Sequence, residues 1–206
     1  GRIVVGGSFS QAAGQPRAYL ARLLADGALE AAFNPGADNA VQCLAVQPDG
    51  KILVGGSFHV LGGQARHFIG RLHADGAPDL AFRPDANGPV TTLAVQPDGR
   101  IVVGGFFTSI GGLPRTAVAC LHPDGTADRT FAVSNAVNGP VLSVAVQPDG
   151  KILVGGLFTL AVGRPRTCLA RLHPDGALDE SFAVQPNTTV YRIAVQPDGR
   201  IVVGGF

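Results

Sequence analysis

The sequence has no methionine, no tryptophan and only 15% charged residues, and these absences restrict the class of protein. The formal net charge of +1 argues against a partner as highly charged as a nucleic-acid backbone. No run of about 18 uncharged apolar residues occurs, so the sequence predicts no membrane-spanning helix. No signal peptide is recognisable, and because the chain begins inside a repeat we expect it to be an excerpt of a longer polypeptide.

Cysteine is scarce as well. Cys43, Cys120 and Cys168 occupy three different repeat positions, and their spacing matches neither a metal site nor a disulfide framework. We therefore expect free thiols at ordinary strand positions. The Gly-Gly pairs end strands and are not followed by Gly-Lys-Ser/Thr, so they do not form a phosphate loop. The sequence predicts no metal and no other cofactor.

Glycine and proline are abundant, with 29 and 15 residues, and much of the glycine belongs to one repeated phrase. The phrase Gly-Arg/Lys-Ile-Val/Leu-Val-Gly-Gly begins at Gly1, Gly50, Gly99, Gly150 and Gly199, with spacings of 49, 49, 51 and 49. A period near 50 residues, built of strand-like runs and glycine turns, indicates a repeat architecture.

Each repeat contains four segments typical of strands. In one copy they are residues 41–46, 51–56 and 68–72 and a short segment around Phe82, joined by Pro-Asp-Gly and Asp-Gly turns. No window shows the 3.6-residue period of a helix. The sequence predicts an all-β fold: a β-propeller built from four-stranded antiparallel blades of about 50 residues, either a partial propeller or part of a larger ring.

The whole chain is predicted to be a single repeat array. Its repeats are residues 1–49, 50–98, 99–149 and 150–198, followed by the partial repeat 199–206. The second strand occurs five times over four intervals, which favours an excerpt from a ring of about six to eight blades. Open blade edges in such an excerpt would favour self-association.

The repeated motif also resembles a known family. Ala-Val-Gln-Pro-Asp-Gly-Lys-Ile-Leu-Val-Gly-Gly-x-Phe, followed by Arg-x-x-x-x-Arg-Leu-x-x-Asp-Gly, is similar to the delta-60 repeat, a propeller-forming bacterial repeat without an assigned general activity. The resemblance covers essentially the whole chain, and Cys120 departs from it by replacing an arginine. It implies a propeller that is secreted or displayed on the cell surface.

Most acidic residues follow the repeat. Of 15, eight lie in the two hairpin turns of the repeats, and four, Glu30, Asp79, Asp128 and Asp179, open the fourth strand. Only Asp38, Asp85 and Glu180 are expected outside the repeat, and His59 and His67 are the unrepeated histidines. An enzyme of the hydrolase or lyase type would need such residues to converge over the central channel.

The acids that open the fourth strand have predicted partners. A three-residue hairpin loop places Arg22 opposite Glu30, and the same count pairs Arg71 with Asp79 and Arg171 with Asp179. Each such cross-strand pair contributes roughly 0.2–1 kcal/mol. Because Cys120 replaces the arginine of the third complete repeat, we expect the corresponding pair to be missing there.

Four further arginines end the loop between the second and third strands: Arg17, Arg66, Arg115 and Arg166. These loops and the blade-to-blade connections are expected on one face of the propeller, and the Asp-Gly turns on the other. A ring of arginines there could bind anionic sugars, carboxylates or an acidic protein patch. The alternative is that each arginine bonds main-chain carbonyls of its own or the neighbouring blade.

The most variable segments of the repeats fall on the same face. They are residues 10–15, 59–64, 108–113 and 159–164, together with a two-residue insertion between Phe131 and Pro140. Variable loops on a rigid scaffold often carry binding functions. The sequence therefore favours a non-enzymatic binding or scaffold module whose loop face engages a protein or glycan, and the alternative is a propeller hydrolase or lyase.

Overall fold

The computed structural model describes residues 1–131 and 137–206 as strands and turns. These residues form no helix, and therefore none that could cross a bilayer. The all-β prediction is confirmed, and the antiparallel sheets are arranged as propeller blades. The predicted insertion lies largely outside the described residues. The blades are residues 1–40, 41–89, 90–140, 141–189 and 190–206, named blades 1 to 5 in this order.

The strands of successive blades repeat one pattern. The inner strands are β5 (Val41–Val46), β10 (Val90–Val95), β15 (Val141–Val146) and β20 (Val190–Val195). The second strands are β1 (Ile3–Gly6), β6 (Ile52–Gly56), β11 (Ile101–Gly105), β16 (Ile152–Gly156) and β21 (Ile201–Gly205). The third strands are β4 (Leu20–Leu23), β9 (Ile69–Leu72), β14 (Val118–Leu121) and β19 (Leu169–Leu172).

The second strand lies in the middle of its sheet, which explains its continuous apolar run. In blade 2, β6 pairs with β5 on one side and with β9 on the other. Ile52, Leu53 and Val54 are all buried, because neighbouring blades cover both faces of the sheet. The turn before β6 closes with a hydrogen bond from the Gly50 N–H to the Gln47 carbonyl (2.9 Å), and Gly50 has a φ of 83°.

The fourth strand is shortened to a single bridge in each of blades 1 to 4. The bridges are Leu23–Leu29, Leu72–Pro78, Leu121–Ala127 and Leu172–Leu178. In blades 2 to 4 the repeated aspartate follows the bridge and ends the strand. Asp79 Oδ1, for example, accepts the N–H of Ala81 (3.1 Å), which bends the chain away from the sheet. A side-chain turn therefore replaces the ladder that the sequence led us to expect.

The loops between the second and third strands contain small hairpins. These are β2–β3 (Gln11–Ala12, Gln15–Pro16), β7–β8 (Val60–Leu61, Gln64–Ala65), β12–β13 (Ser109–Ile110, Leu113–Pro114) and β17–β18 (Leu160–Ala161, Arg164–Pro165). The hairpins of blades 2, 3 and 4 each bridge to the preceding blade-to-blade connection, as Leu61 does to Ala37. Hairpins and connections together form one face, the loop face, and the Asp-Gly turns form the opposite turn face.

A repeated contact of phenylalanine with arginine and glycine joins adjacent blades. Phe33 and Phe82 are fully buried, and a Cβ added at Gly76 of blade 2 would lie 3.0 Å from the Phe33 ring of blade 1. The guanidinium of Arg22 lies 4.1 Å from the Phe33 ring centroid, and that of Arg71 lies 4.3 Å from the Phe82 centroid. Blades 1 and 2, and likewise blades 2 and 3, therefore contact each other through the same stack.

The predicted cross-strand ion pairs are confirmed. Arg22 Nε lies 2.7 Å from Glu30, Arg71 Nε 2.9 Å from Asp79, and Arg171 Nε 2.8 Å from Asp179. The sequence did not anticipate that two of these arginines also join blades. Arg71 Nη1 donates to the Pro123 carbonyl of blade 3 (2.5 Å), and Arg22 donates to the Ala74 carbonyl of blade 2.

Blade 3 compensates for the loss of its arginine. Cys120 makes no ion pair with Asp128, as predicted, but Asp128 is not left alone. Arg100 of the second strand lies 3.4 Å from Asp128 and donates to the Pro174 carbonyl of blade 4 (3.3 Å). One arginine thus contacts both the acid and the next blade.

These paired carboxylates predict a loss of stability in acid. The Ser181 hydroxyl, acting against burial and together with Lys151 and Arg171, holds the pKa of Asp179 well below its ordinary value. A carboxyl with a lowered folded-state pKa stabilises the fold above its unfolded pKa, about 3.9, and the stabilisation is lost as the pH falls below it. We expect Asp179→Asn to flatten the decline in unfolding free energy between about pH 5 and pH 2.

Urea unfolding at a series of pH values measures this dependence. Asp75→Asn is the matched control, because Asp75 lies in an exposed turn and accepts the N–H of Ala77. An unchanged pH dependence in Asp179→Asn would contradict the assignment.

Candidate binding surface

The four arginines of the loop face hold their own blades together. In each, Nη1 donates to the carbonyl of the preceding residue, at 2.7, 2.7, 2.9 and 2.8 Å for Arg17, Arg66, Arg115 and Arg166. Their Nη2 atoms donate to the carbonyls of Ala31, Asp79, Asp128 and Glu180 at 3.3, 3.1, 3.2 and 3.5 Å. Each guanidinium thus ties the end of its loop to the outer segment of the same blade.

The burial of these arginines differs between blades. Arg17 and Arg66 are only 5% and 3% exposed, whereas Arg115 and Arg166 are partly accessible. Burial lowers the pKa of Arg66, and the nearby charge of Arg83 lowers it further. These contacts agree with the alternative given by the sequence, in which each arginine bonds main-chain carbonyls of its own or the neighbouring blade. Binding of a ligand by the four arginines stays a prediction.

Asp38 belongs to the repeat, so its placement outside the repeat was wrong. Its Oδ1 accepts the N–H groups of His59 (2.8 Å) and Val60 (2.9 Å). Asn87 and Asn138 make the same pair of bonds to the hairpins of blades 3 and 4. Comparison of the acidic residues alone missed that the asparagines at this repeat position offer the same acceptor oxygen as the aspartate. Burial would raise the pKa of Asp38, but these N–H groups outweigh it and lower the pKa.

The other unrepeated acids have separate contacts. Asp85 accepts the N–H of His67 (3.2 Å), and Glu180 forms an exposed ion pair with Arg164 (3.4 Å). The rings of His59 and His67 lie 5.7 Å apart. Asp38, Asp85 and the two histidines therefore meet at the second-to-third-strand loop of blade 2, while Glu180 lies in blade 4. Residues 1–131 and 137–206 contain no group of three or more side chains arranged to hold a metal ion.

The inner strands carry a feature that the sequence did not reveal. Each has a β-bulge directly after its first valine, where the register shifts by one residue. The bulged residues are Gln42, Thr91, Leu142 and Tyr191. They line, with Arg192, a cavity of about 310 Å³ at the loop-face end of the central channel. A bulge turns the side chain of its extra residue away from the regular alternation of the strand. Here the four bulges each direct one such side chain to the same opening.

A second variable position lies beside each bulge, at the end of the second strand. Gln42 Nε2 donates to Ser57 Oγ (3.1 Å), and the rings of Tyr191 and Phe206 lie 5.4 Å apart. Phe106 and Leu157 stand at the repeat position of Ser57, and Thr91 and Leu142 stand at that of Gln42. We call these residues the channel rim: Gln42, Ser57, Thr91, Phe106, Leu142, Leu157, Tyr191, Arg192 and Phe206.

The channel rim is polar in blade 2, and blades 3, 4 and 5 each add one large exposed apolar side chain to it. Phe106 is 52% exposed, Leu157 57% and Tyr191 42%. The opposite mouth differs, because a cavity of about 580 Å³ there is lined by the repeated valine and proline at the first turn of blades 2 to 5 and by the glutamine between them in blades 3 to 5. One end of the channel is thus nearly the same in every blade, while the other presents a different side chain from each.

The blade pattern agrees with a known family. A family model described as a domain of unknown function (DUF5122) beta-propeller matches residues 1–33, 47–82, 96–131 and 147–182. The chain belongs to the DUF5122 β-propeller family. The bulged residues of this DUF5122 propeller lie in the stretches between or beyond the matched segments. No curated protein matches the chain.

Solved structures share the fold at low sequence identity. The WD40 β-propeller domain of Doa1 has a TM-score of 0.63 at 18% identity, over 90% of this chain and 53% of that one. A protein of unknown function from Bacteroides caccae has a TM-score of 0.57 at 15% identity, over 98% and 64%. A chain of the mitotic checkpoint complex has a TM-score of 0.59 at 16% identity, over 90% and 52%. This DUF5122 propeller thus spans about half to two thirds of their lengths, and the likeness shows the fold alone.

Proposed function

We propose that this DUF5122 propeller is a binding scaffold and that the channel rim engages a partner protein. The observation that carries the proposal is that three large apolar side chains, Phe106, Leu157 and Tyr191, are exposed at the loop-face ends of blades 3, 4 and 5, and we call them the apolar arc. Large exposed apolar side chains that are grouped at one end of a scaffold and bordered by polar ones are typical of protein-binding surfaces. Gln42 and Ser57 supply the polar border.

Comparison of the repeats indicates that the fold does not need the large apolar side chains of blades 3 and 4. Serine stands at position 8 and at position 57, where Phe106 and Leu157 stand in later blades. A blade therefore folds with serine at this site, and the two large apolar side chains contribute little to its core. An exposed side chain that the architecture does not require is best explained by a contact with another molecule.

The positive charge of Arg192 indicates which kind of partner segment would be complementary to the channel rim. Arg192 lies next to Tyr191 and uses Nη1 to bond the carbonyls of Leu142 (3.3 Å) and Tyr191 (2.8 Å). This fixes a positive charge beside the apolar arc, so a partner segment with apolar side chains and a nearby carboxylate would be complementary. A glycan stacking on Tyr191 is the second ligand class for the same surface.

Several narrower points stay predictions. Assignment to the delta-60 repeat, export to the cell surface and association through open blade edges rest on the sequence. The hydrolase or lyase alternative has no grouping of Asp38, Asp85 and Glu180 in its favour among the described residues.

Peptides selected from a displayed random library on the wild-type chain test the proposal. We expect selected peptides to combine apolar and acidic residues, and Phe106→Ser with Leu157→Ser to weaken their binding at least about tenfold, because two exposed apolar anchors are lost. Both substitutions introduce the residue that other blades carry at this position. A glycan array probed with the same variants tests the second ligand class.

The controls locate the surface. Leu80→Ala removes an exposed leucine (61%) from the outer segment of blade 2 and introduces the residue found at Ala31, the same repeat position. Arg115→Ala tests the ring of arginines on the same face. Loss of binding in Leu80→Ala or Arg115→Ala, with the rim variants unaffected, would reject the channel rim.

A further inference from the structure

Two arginines differ from all other basic residues of the described chain. Each lysine and every other arginine there makes a hydrogen bond or ion pair, whereas Arg83 and Arg129 make none within residues 1–131 and 137–206. Both are exposed. Both are also absent from the repeat, because the position of Arg83 is occupied by Asn34 and Ala183 in other blades, and that of Arg129 by Ala31, Leu80 and Glu180.

These two unpaired arginines line the same cavity. It has a volume of about 370 Å³ and lies between the outer segment of blade 2, which supplies Arg83, and blade 3, which supplies Arg129. Ala81, Leu113 and Ala127 add apolar wall. A cavity of this size can hold a small organic molecule. It is separate from the channel rim, which lies at the centre of the propeller.

The cavity carries one negative group as well. Asp124 lines it, and its Oδ1 accepts the hydroxyl (2.7 Å) and N–H (2.8 Å) of Thr126. These bonds occupy one carboxylate oxygen without bringing a guanidinium to it. Two guanidinium groups against one carboxylate leave the cavity with a positive charge, and the carboxylate is an acceptor for a ligand hydroxyl.

We infer that the cavity between blades 2 and 3 binds an oxyanion, a carboxylate or a phosphate, carried by a hydroxylated ligand of about monosaccharide size. Arg83 and Arg129 contact the oxyanion from the two blades, since the planar guanidinium offers paired donors that match such groups. Asp124 accepts a hydroxyl of the same ligand. The architecture gives no reason for either arginine, because other blades fold without them.

The inference does not depend on the proposed partner at the channel rim. The two sites share no residue, so either can fail while the other holds. Ligand binding to the cavity would also bridge two blades, and so should raise the thermal midpoint of unfolding as ligand occupancy increases.

Calorimetric titration of the full chain with glucuronate, glucose 6-phosphate and neutral glucose tests the site. Glucuronate or glucose 6-phosphate should bind saturably, and glucose should bind at least about tenfold more weakly, because it lacks the oxyanion. The preferred probe distinguishes a carboxylate from a phosphate. Equal binding of all three sugars, or no saturable binding of either anion, would overturn the inference without any variant.

Substitutions then test whether Arg83 and Arg129 bind the anionic sugar. Arg83→Ala and Arg129→Ala, each placing a residue found at that position in another blade, should weaken binding of the anionic sugar about tenfold or more. Arg200→Ala is the charge-matched control, because this side chain is 81% exposed and lies outside the cavity. An equal loss in Arg200→Ala would show a general charge effect and would reject the site.

Discussion

Arg71→Cys is expected to lower the free energy of unfolding by about 3 kcal/mol, the scale for breaking a buried ion pair. Arg71 and Asp79 are both buried, with side chains 8% and 7% exposed, so removing the arginine leaves a carboxylate with Lys51 as its remaining cation. The substitution also removes the bond to the Pro123 carbonyl of blade 3 and the cation above Phe82. Urea unfolding of the variant and the wild type measures the difference.

Blade 3 provides the matching rescue. There Cys120 stands at the position of Arg71, and Arg100 stands at that of Lys51 and bonds both Asp128 and the next blade. Adding Lys51→Arg to Arg71→Cys should therefore recover a substantial part of the lost stability, while Lys51→Arg alone should change it little. If the double variant is no more stable than Arg71→Cys, the compensation inferred from blade 3 is wrong.

Gly125→Ala should lower the free energy of unfolding by about 2–4 kcal/mol, because two penalties coincide at this turn. Gly125 has a φ of 95°, which disfavours any side chain. An added Cβ would also lie 2.8 Å from Cδ2 of Phe82, a fully buried ring of the preceding blade. Thermal and urea unfolding both report the change.

Gly27→Ala separates the two penalties. Gly27 occupies the same turn position in blade 1, with a φ of 86°, but no atom lies within 4 Å of the place that an added Cβ would take. Its substitution should therefore cost only the backbone part, about 1–2 kcal/mol. The difference between the two variants measures the contact between blades 2 and 3. Equal losses would mean that the blades adjust to the extra methyl group.

Much of the fold was predictable because the repeat contains the same information several times. The three long strands, the turns and the pairs of Arg22, Arg71 and Arg171 with their acids all follow from spacing and strand alternation. The fourth strand did not, because Asp79 and its equivalents bend the chain through a side-chain bond that competes with the ladder. The role of Arg100 was also missed, since it depends on which blade lies next to it.

The candidate sites were harder to find, for a physical reason. Strand alternation predicts the face of each side chain only while the register is regular, and a bulge breaks it at Gln42, Thr91, Leu142 and Tyr191. The signal was present as four different residues at one repeat position. Arg83 and Arg129 were detectable as unrepeated arginines, but only the packing of adjacent blades brings them to one cavity.

The bulges also give the propeller a modular way to change what it recognises. A bulged residue is left out of the ladder, and its side chain reaches the channel opening rather than the core. Each blade can therefore exchange that one residue without altering the pairing of its strands, and at Thr91 an exchange would also change the hydrogen bond that its hydroxyl donates to the Val141 carbonyl of the next blade (2.6 Å). Because the bulged residue can differ from blade to blade, the surface around the opening can take many compositions. Duplicated blades can thus acquire new binding specificity by one substitution each. The bulged positions could therefore be randomised to make a library of binding proteins, because they already surround a single opening.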